Sequence, residues 1–443
     1  MGVSILEGKK AERIAEALEL IAINGAGQVT DGQSWKAVQN IVRAGLGPKA
    51  FPVGTQFRVK KETSLSAALG THTGITAVTV TEETFLAHEG VVGSGIHEFK
   101  FDGAAWIYEG APVILADFGL AVTGTAADGD EIIVTEAYTE ILFDVVHHKT
   151  VNGQHRMVLL MHDLWYNRPF DSSEALIAVP EALTAGDYHF TYGETAYQFT
   201  LASDVAAGSQ ILVTYPSSGD SLAGQTAKVF TSGSETTAAQ TATISAGSAG
   251  TDLGTVGDAE TSGKNINHMP RMRYGSNNYK ESAIRQWLNS KAAANNWWTA
   301  QTPFDRVSSY ANEAGFLHGM DSDFLAVVLE TEVKCGTNNT WELAGWTKNA
   351  AYTVKDRFYL ASRPEVGLGA ESMDQGSVWD YYNGAANVDR IKRDSGGTAR
   401  TWWLRSPNPS NANNVRRVYS DGSLYYDLGA CYGSSAAAAC EIG

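Results

Sequence analysis

His147, His148, His155 and His162 fall within one short segment, and Asp163 follows the last of them. Imidazoles beside a carboxylate are the donor set of zinc and copper centres, so a metal is the first chemistry to consider. The spacing points elsewhere. Neighbouring residues of a strand face opposite ways, which separates His147 from His148, and Asn152-Gly153 reads as a hairpin turn between strands at 145–151 and 156–162. Paired strands bring histidines near one another without any ligand role. Asp321 and Asp323 carry the oxygen chemistry that calcium uses, yet their place ahead of an apolar run suits a turn or a helix end. No metal and no cofactor is expected.

The remaining catalytic signatures fail on spacing. Gly90, Gly93 and Gly95 lack the strand-to-helix setting of a dinucleotide loop, and neither a phosphate-binding GxxxxGK[ST] run nor a GxSxG nucleophile elbow occurs. The three cysteines, Cys335, Cys431 and Cys440, form no CxxC pair, and an odd number argues against a disulfide framework. Asn338-Asn339-Thr340 matches a glycosylation sequon, but no secretory signal accompanies it. No constellation that specifies an enzyme is present, and the chain is read as a non-enzyme.

The last stretch has a different chemistry. Tyr419, Tyr425, Tyr426 and Tyr432 cluster with Asn408, Asn411, Asn413, Asn414, Arg416, Arg417 and Asp427. Tyrosine offers a large amphipathic contact area at low entropic cost, asparagine, serine and aspartate offer adaptable hydrogen bonds, and arginine adds stacking and forked donors. Such a composition belongs to a recognition surface. Alternation along a strand buries about half of its side chains, so some of these tyrosines are expected to be structural.

The elements that must carry these residues are mostly strands. Residues 5–22 read as a helix with Ile14, Leu18 and Ile21 on one face, and Ser34 caps a second helix carrying Trp35, Val38 and Val42, stopped by Gly45, Gly47 and Pro48. From Phe51 the period changes to two. Hairpins are expected at Phe99-Lys-Phe101 and Trp106-Ile-Tyr108 around Asp102-Gly103, and again at Tyr188-His-Phe190 and Tyr197-Gln-Phe199; the two regions read as β modules of one type. Residues 216–264, rich in Ser, Thr, Gly and Ala, suit either a flexible linker or thin strands, with Thr226-Ala-Lys-Val-Phe-Thr231 favouring a strand. A short helix is expected at 282–289 and a long strand at 324–333. The chain then ends as strand at Trp402, loop, strand at 415–420, a turn at Asp421-Gly422, and strand at 424–427.

A length of 443 residues suggests about two to four domains. The net charge of −16, with no Lys/Arg block, excludes nucleic acid as a partner, and the lack of a long apolar run argues against membrane insertion. Synthesis as a soluble chain in a cytoplasm is expected, which leaves room for function outside it, for example after release in a particle.

Trp402-Trp403-Leu404-Arg405-Ser406-Pro407, followed by Val418-Tyr419-Ser420-Asp421-Gly422-Ser423-Leu424, resembles the end of C-type-lectin-like proteins diversified by diversity-generating retroelements. This family includes the phage major tropism determinant, and its domain is similar to that of formylglycine-generating enzymes. Ser282-Ala-Ile-Arg-Gln-Trp-Leu-Asn289, Phe316-Leu-His-Gly-Met-Asp321 and Phe358-Tyr-Leu-Ala-Ser362 also look like phage-encoded members. So does Val38-Gln-Asn-Ile-Val-Arg-Ala-Gly45 with Phe51-Pro-Val-Gly54. The resemblance implies a strand-rich α+β chain. Residues 1–50 would be a helical attachment or oligomerisation segment and 51–145 a β-rich module. Residues 146–443 would be a C-type-lectin-like domain with a β insertion at about 171–262 and a variable ligand-binding region at about 400–435.

In this family, adenines of asparagine codons are miscopied, which yields Tyr, Asp, Ser, Arg, Ala, Cys, Leu, His or Gly but not Trp, Lys, Gln, Glu or Met. Arg417, Tyr419, Tyr425, Tyr426, Asp427, Ala430, Cys431 and Tyr432 are all of permitted types, and Asn408, Asn411, Asn413 and Asn414 match unaltered template positions. Trp402, Trp403, Leu404, Arg405, Asp421 and Gly422 would be the fixed scaffold. The implied role is a homotrimeric receptor-binding protein on the virion, at a phage tail-fibre tip beside other tail proteins. It would attach to a host-cell surface protein or glycan. A bacterial surface adhesin with the same domain and a formylglycine-generating-type enzyme are the alternatives.

Overall fold

The structure is a computed structural model that describes residues 35–89, 95–173, 177–179, 181–192, 194–213, 221–231, 237–256, 274–301, 305–337, 350–369, 373, 375–409 and 413–443. The helix expected at 5–22, Ser34, the sequon at 338–340 and Asn411 lie outside the described residues. Two compact units emerge, one of Met1–Asp163, Phe316–Glu330 and Ala439–Gly443, the other of Leu164–Gly315 and Thr331–Ala438.

The first unit is organised by its longest strands. β1 (Gln56–Leu69) runs antiparallel to β7 (Glu131–Val151) from Gln56↔Asp144 to Leu69↔Ile132, with a bulge between Glu62 and Ser64. Between them in the chain come β2 (Ile75–Val80), β3 (Gly95–Phe101), β4 (Trp106–Tyr108), β5 (Ala111–Val113) and β6 (Leu120–Gly124). β3 joins the start of β7 and passes the sheet on to β4 and β5, while β2 and β6 pair separately. At its far end β7 turns through Asn152 and Gly153, both at positive φ, into β8 (Gln154–Met161), which also pairs with the chain's last strand, Ala438–Ile442. Phe85, Phe99, Tyr108, Phe118, Ile132 and Val134 form the core under the β3–β7 part.

Helix α1 (Trp35–Arg43) packs Trp35 against Phe57 and Phe324, with ring centroids 5.5 and 4.7 Å apart. Gly45 at φ +75° follows its end. Two shorter helices, α2 (Gly47–Ala50) and α3 (Glu82–Glu89), complete the N-terminal part.

In the second unit β9 (Trp165–Pro169) precedes an inserted sandwich. Its strands are β10 (Ile177–Ala178), β11 (Gly186–Tyr192), β12 (Thr195–Leu201), β13 (Gln210–Val213), β14 (Thr226–Phe230), β15 (Gln240–Thr243), β16 (Ser245–Ala246) and β17 (Thr251–Val256). Two four-stranded sheets, ordered β10-β13-β14-β15 and β16-β12-β11-β17, close over Tyr188, Phe190, Phe199, Ile211 and Val229. The Ser/Thr-rich stretch therefore contributes strands rather than a simple linker. The two β regions share an aromatic hairpin but differ in topology: β3–β4 extends the sheet of β7, whereas β11–β12 is half of a sandwich.

Helix α4 (Ala283–Leu288) is capped by Ser282, whose hydroxyl accepts from Arg285 N–H. The long strand expected at 324–333 is absent. Asp321 accepts from the N–H groups of Asp323 and Phe324 at 2.8 and 3.2 Å and so starts helix α5 (Ser322–Val327). A carboxylate that satisfies the first free N–H groups outweighs β propensity in the apolar run that follows. The strand begins only at β18 (Thr331–Thr337), paired with β19 (Ala350–Asp356). After β20 (Phe358–Leu360) and the short pair β21 (Lys392–Arg393) and β22 (Ala399–Arg400) come β23 (Trp402–Pro407), β24 (Asn414–Val418), β25 (Leu424–Gly429) and β26 (Gly433–Ala436). With β9 these last four form a sheet in the order β25-β24-β23-β26-β9.

This architecture corrects the expected α+β class with a C-type-lectin-like C-terminal domain. Among the described residues strand makes up 47% and helix 13%, spread over several sheets, and nothing in the C-terminal sheets assigns the lectin fold. That expectation rested on short motifs, Trp-Trp-Leu-Arg-Ser-Pro foremost among them. The motif dictates a buried strand and its polar partners, not the topology around it.

Three of the four histidines take separate partners. His148 Nε2 bonds the Phe51 carbonyl at 2.8 Å, His155 Nδ1 pairs with Thr150 Oγ1 at 3.1 Å, and His162 Nδ1 sits 2.9 Å from Asp144. No group of three His, Cys, Asp or Glu suited to a metal occurs among the described residues. No helix among them is long and apolar enough to cross a membrane.

Asp130, buried just ahead of β7, shows how one carboxylate can hold a turn. Its carboxylate accepts from Thr73, Gly74, Ile75 and Ala127 N–H groups at 2.6, 3.1, 3.0 and 3.0 Å. These bonds, Ala127's foremost, hold the carboxyl well below its usual range. A lowered folded-state pKa means stability that is present above the ordinary carboxylate value and lost as pH falls. Asp130→Asn is expected to lower the thermal midpoint at neutral pH, and the gap to wild type to close below about pH 4. A gap that stays constant into acid would rule out the charge as its source.

Candidate ligand-binding site

β23 is buried along its whole length. Trp402 and Trp403 face opposite sides of the sheet, and each indole N–H finds a carbonyl: Trp402 bonds Arg390 O at 3.2 Å, and Trp403 bonds Arg168 O at 2.7 Å. Leu404 fills the interior beside them.

Arg405 is also buried, and all five of its N–H groups are used. Nε donates to Lys334 O at 2.8 Å. One terminal nitrogen donates to Leu360 O at 2.7 Å and Glu365 Oε2 at 2.5 Å; the other donates to Glu365 Oε1 at 2.7 Å and Gln375 O at 2.9 Å. Glu365 is oriented in turn by Ser362, whose N–H donates to Oε2 at 2.8 Å while its hydroxyl accepts from Glu365 N–H at 3.3 Å.

The hairpin of β24 and β25 hangs on this base. Trp403 pairs with Arg417, and Arg417 with Tyr425. Across these registers runs a stack. The Arg417 guanidinium lies 5.4 Å from the Trp403 ring and 5.1 Å from the Tyr425 ring, and Tyr425 stacks on Tyr419 with centroids 5.1 Å apart. Trp403 and Arg417 are buried, whereas Tyr419 and Tyr425 are 42% and 40% exposed. Tyr432, just past β25, is 47% exposed, and its ring lies 5.9 Å from that of Tyr274.

The turn between the strands is held by Asp421, which accepts from Ser423 Oγ at 2.6 Å and Ser423 N–H at 2.9 Å. The hydroxyl bond first, then the N–H bond, keeps this carboxyl below its usual range. Gly422 has φ +83°, and a Cβ there would sit 1.6 Å from the Asn387 carbonyl oxygen. Both facts require glycine. The neighbouring 3-10 turn Asn387–Arg390 is itself pinned by Arg390, which donates to Val366, Gly367 and Ala385 carbonyls at 2.6, 3.2 and 2.9 Å.

The sequence-derived set therefore separates by burial. Tyr419, Tyr425 and Tyr432 are exposed. Asn414 and Cys431 are half-buried. Asn408, Asn413, Arg417 and Ala430 are buried: the Asn408 N–H donates to Asn414 O at 2.8 Å, and the Ala430 N–H to Asn413 O at 2.9 Å. The backbone of Tyr426 and Asp427 lies in β25, while their side chains fall outside the described residues. Glu365, Tyr274 and Asn387 were missed. For Glu365 a signal existed, since Ser362-x-x-Glu365 has capping-box spacing. Asn387 and Tyr274 are remote in sequence from the hairpin and carry no such mark.

A family model described as a domain of unknown function (DUF6273) matches residues 260–436, a stretch that includes β18 to β26 and the tyrosine hairpin. No curated protein and no solved structure matches the chain.

Removing one partner of a buried, fully hydrogen-bonded ion pair strands the other. Arg405→Leu is expected to destabilise the second unit by about 3–5 kcal/mol in urea denaturation, and Arg405→Leu with Glu365→Leu by less than Arg405→Leu alone. A double variant as unstable as the sum of the two singles would show that the carbonyl bonds, not the ion pair, dominate.

Proposed function

We propose that this chain is a receptor-binding protein of a phage tail fibre, diversified by a retroelement, that presents Tyr419, Tyr425 and Tyr432 to a protein or glycan on the host surface. The observation that carries this reading is the contrast along one hairpin: three solvent-facing tyrosines of permitted type stand on Trp402, Trp403, Leu404 and Arg405, all sealed from solvent. Side chains on such a base can change without unfolding it. Arg417 contributes from behind by gripping the Tyr425 ring, so its replacement would loosen the face rather than delete a contact.

Exposed tyrosines held by stacking suit recognition because little freedom remains to be lost on binding. Assembly as a trimer, as the resemblance implies, would multiply modest contacts into avid attachment. The enzymatic alternative is disfavoured by its own chemistry. Burial pushes the Cys335 thiol up to about 12 and the Cys431 thiol up to about 11, and raises Cys440 well above the usual range. Thiols held protonated are poor nucleophiles at neutral pH.

Two measurements test the proposal. Sequencing the locus across a phage population is expected to show substitutions at codons 417, 419, 425–427, 431 and 432 that spare 402–405; a uniform sequence overturns diversification. Replacing Tyr419, Tyr425 and Tyr432 together by Ala is expected to abolish host adsorption while leaving stability within about 1 kcal/mol. Unchanged adsorption would sink the assignment of the face.

A further inference from the structure

Just ahead of the bulge in β1, two successive ionisable side chains, Lys61 and Glu62, are both buried in the first unit. Glu62 meets Glu136 of β7 there, and the two are only 4% and 1% exposed. Neither oxygen of Glu62 has a well-placed donor among the described residues. Glu136 does: His97 Nε2 lies 3.3 Å from its Oε2, and His97 Nδ1 lies 2.7 Å from the Tyr108 hydroxyl. In the tautomer where Tyr108 O–H donates to Nδ1, the imidazole hydrogen on Nε2 faces Glu136, and Glu136 is the acceptor of the pair. Two adjacent buried carboxyls cannot both ionise cheaply, so the remaining proton belongs on Glu62, where it satisfies both groups at once.

The same bulge ties down a distant part of the chain. Glu62 N–H donates to Gly319 O at 2.7 Å, Asp321 N–H donates to Lys60 O at 3.0 Å, and Lys61 Nζ donates to the His318 carbonyl. His318 Nε2 lies 3.0 Å from Glu82 Oε1. The geometry points to a proton-dependent latch: Glu62 and Glu136 share one proton, and the ties from the bulge to Phe316–Glu330 let go most readily in mildly alkaline solution.

The groups around the pair set its range. Burial first, then Glu136 and Glu82, push the Glu62 carboxyl up to about 8, with the Ser64 N–H dipole opposing. Burial pulls Lys61 down to about 8, with Glu82 and Glu62 opposing. His97, Tyr108 and His318 complete the ionisable surroundings. Between the ordinary glutamate value of 4.5 and about 8, the closed latch holds a proton that an open one releases, so rising pH favours opening. From about 8 to the ordinary lysine value of 10.5 the sign reverses, because the closed latch has lost a proton that the open one keeps on Lys61. Opening is easiest where the two windows meet.

Hydrogen exchange of the full chain tests this through the amides of Glu62 and Asp321. After correction for intrinsic rates, wild-type protection is expected to fall at least about tenfold from about pH 5 to about pH 8, and Glu62→Gln to abolish that fall. No fall in wild type, or an equal fall in the variant, overturns the latch. Should Glu62→Gln not fold, infrared titration of the wild type decides. A protonated-carboxyl band that persists at neutral pH and vanishes through about pH 8 is expected; its absence at neutral pH overturns the shared proton.

Discussion

Arg405 is the constraint on which the second unit depends. A guanidinium sealed from water loses its entire hydration shell, and only a full set of acceptors restores it. Here those acceptors come from separate parts of the chain: Lys334 on β18, Leu360 on β20, Glu365 and Gln375. Meeting one planar fork fixes all four against β23 at once. Lysine, with three donors on a flexible stem, cannot occupy that position. Because β23 sets the register of β24, and β24 that of β25, the placement of the exposed tyrosines follows from a charge they never touch.

The stack from Trp403 through Arg417 and Tyr425 to Tyr419 carries that rigidity to the surface. An aromatic ring has few torsions to lose, and a cation held against its face removes some of those beforehand. The turn achieves the same by different means, with Asp421 satisfying Ser423 and Gly422 admitting the Asn387 carbonyl.

Much of this was legible in the sequence where local chemistry decides structure. Asp102-Gly103, Asn152-Gly153 and Asp421-Gly422 turn where they read as turns, and α1 and α4 follow their apolar spacing. The terminal strip stood out by its tyrosine and asparagine content, and three of those tyrosines are exposed. What could not be read was which tyrosine-rich positions face outward. Asn408, Asn413 and Ala430 look like surface residues, yet their backbone hydrogen bonds draw them inside. The segment at 324–333 misled because its apolar run fits either element, and one capping carboxylate decided. The fold class failed for a related reason: short motifs specify their own partners and say little about the sheets around them.

Buried charge is used in two opposed ways in this chain. At Arg405 the partners are of opposite sign and every donor is matched, so the group is charged under all ordinary conditions and acts as a fixed support. At Glu62 the partners are of like sign and one hydrogen short, so satisfaction depends on a proton from solvent. Burial alone does not separate the two cases, since both sites are nearly sealed. The count of donors against acceptors does. Where that count closes within the protein, the site needs no proton from solvent; where it closes only with a borrowed proton, the structure around it inherits the proton's affinity. β1 carries the second kind of site at the point where its ladder is interrupted by a bulge, the place where a strand is most easily loosened without being lost.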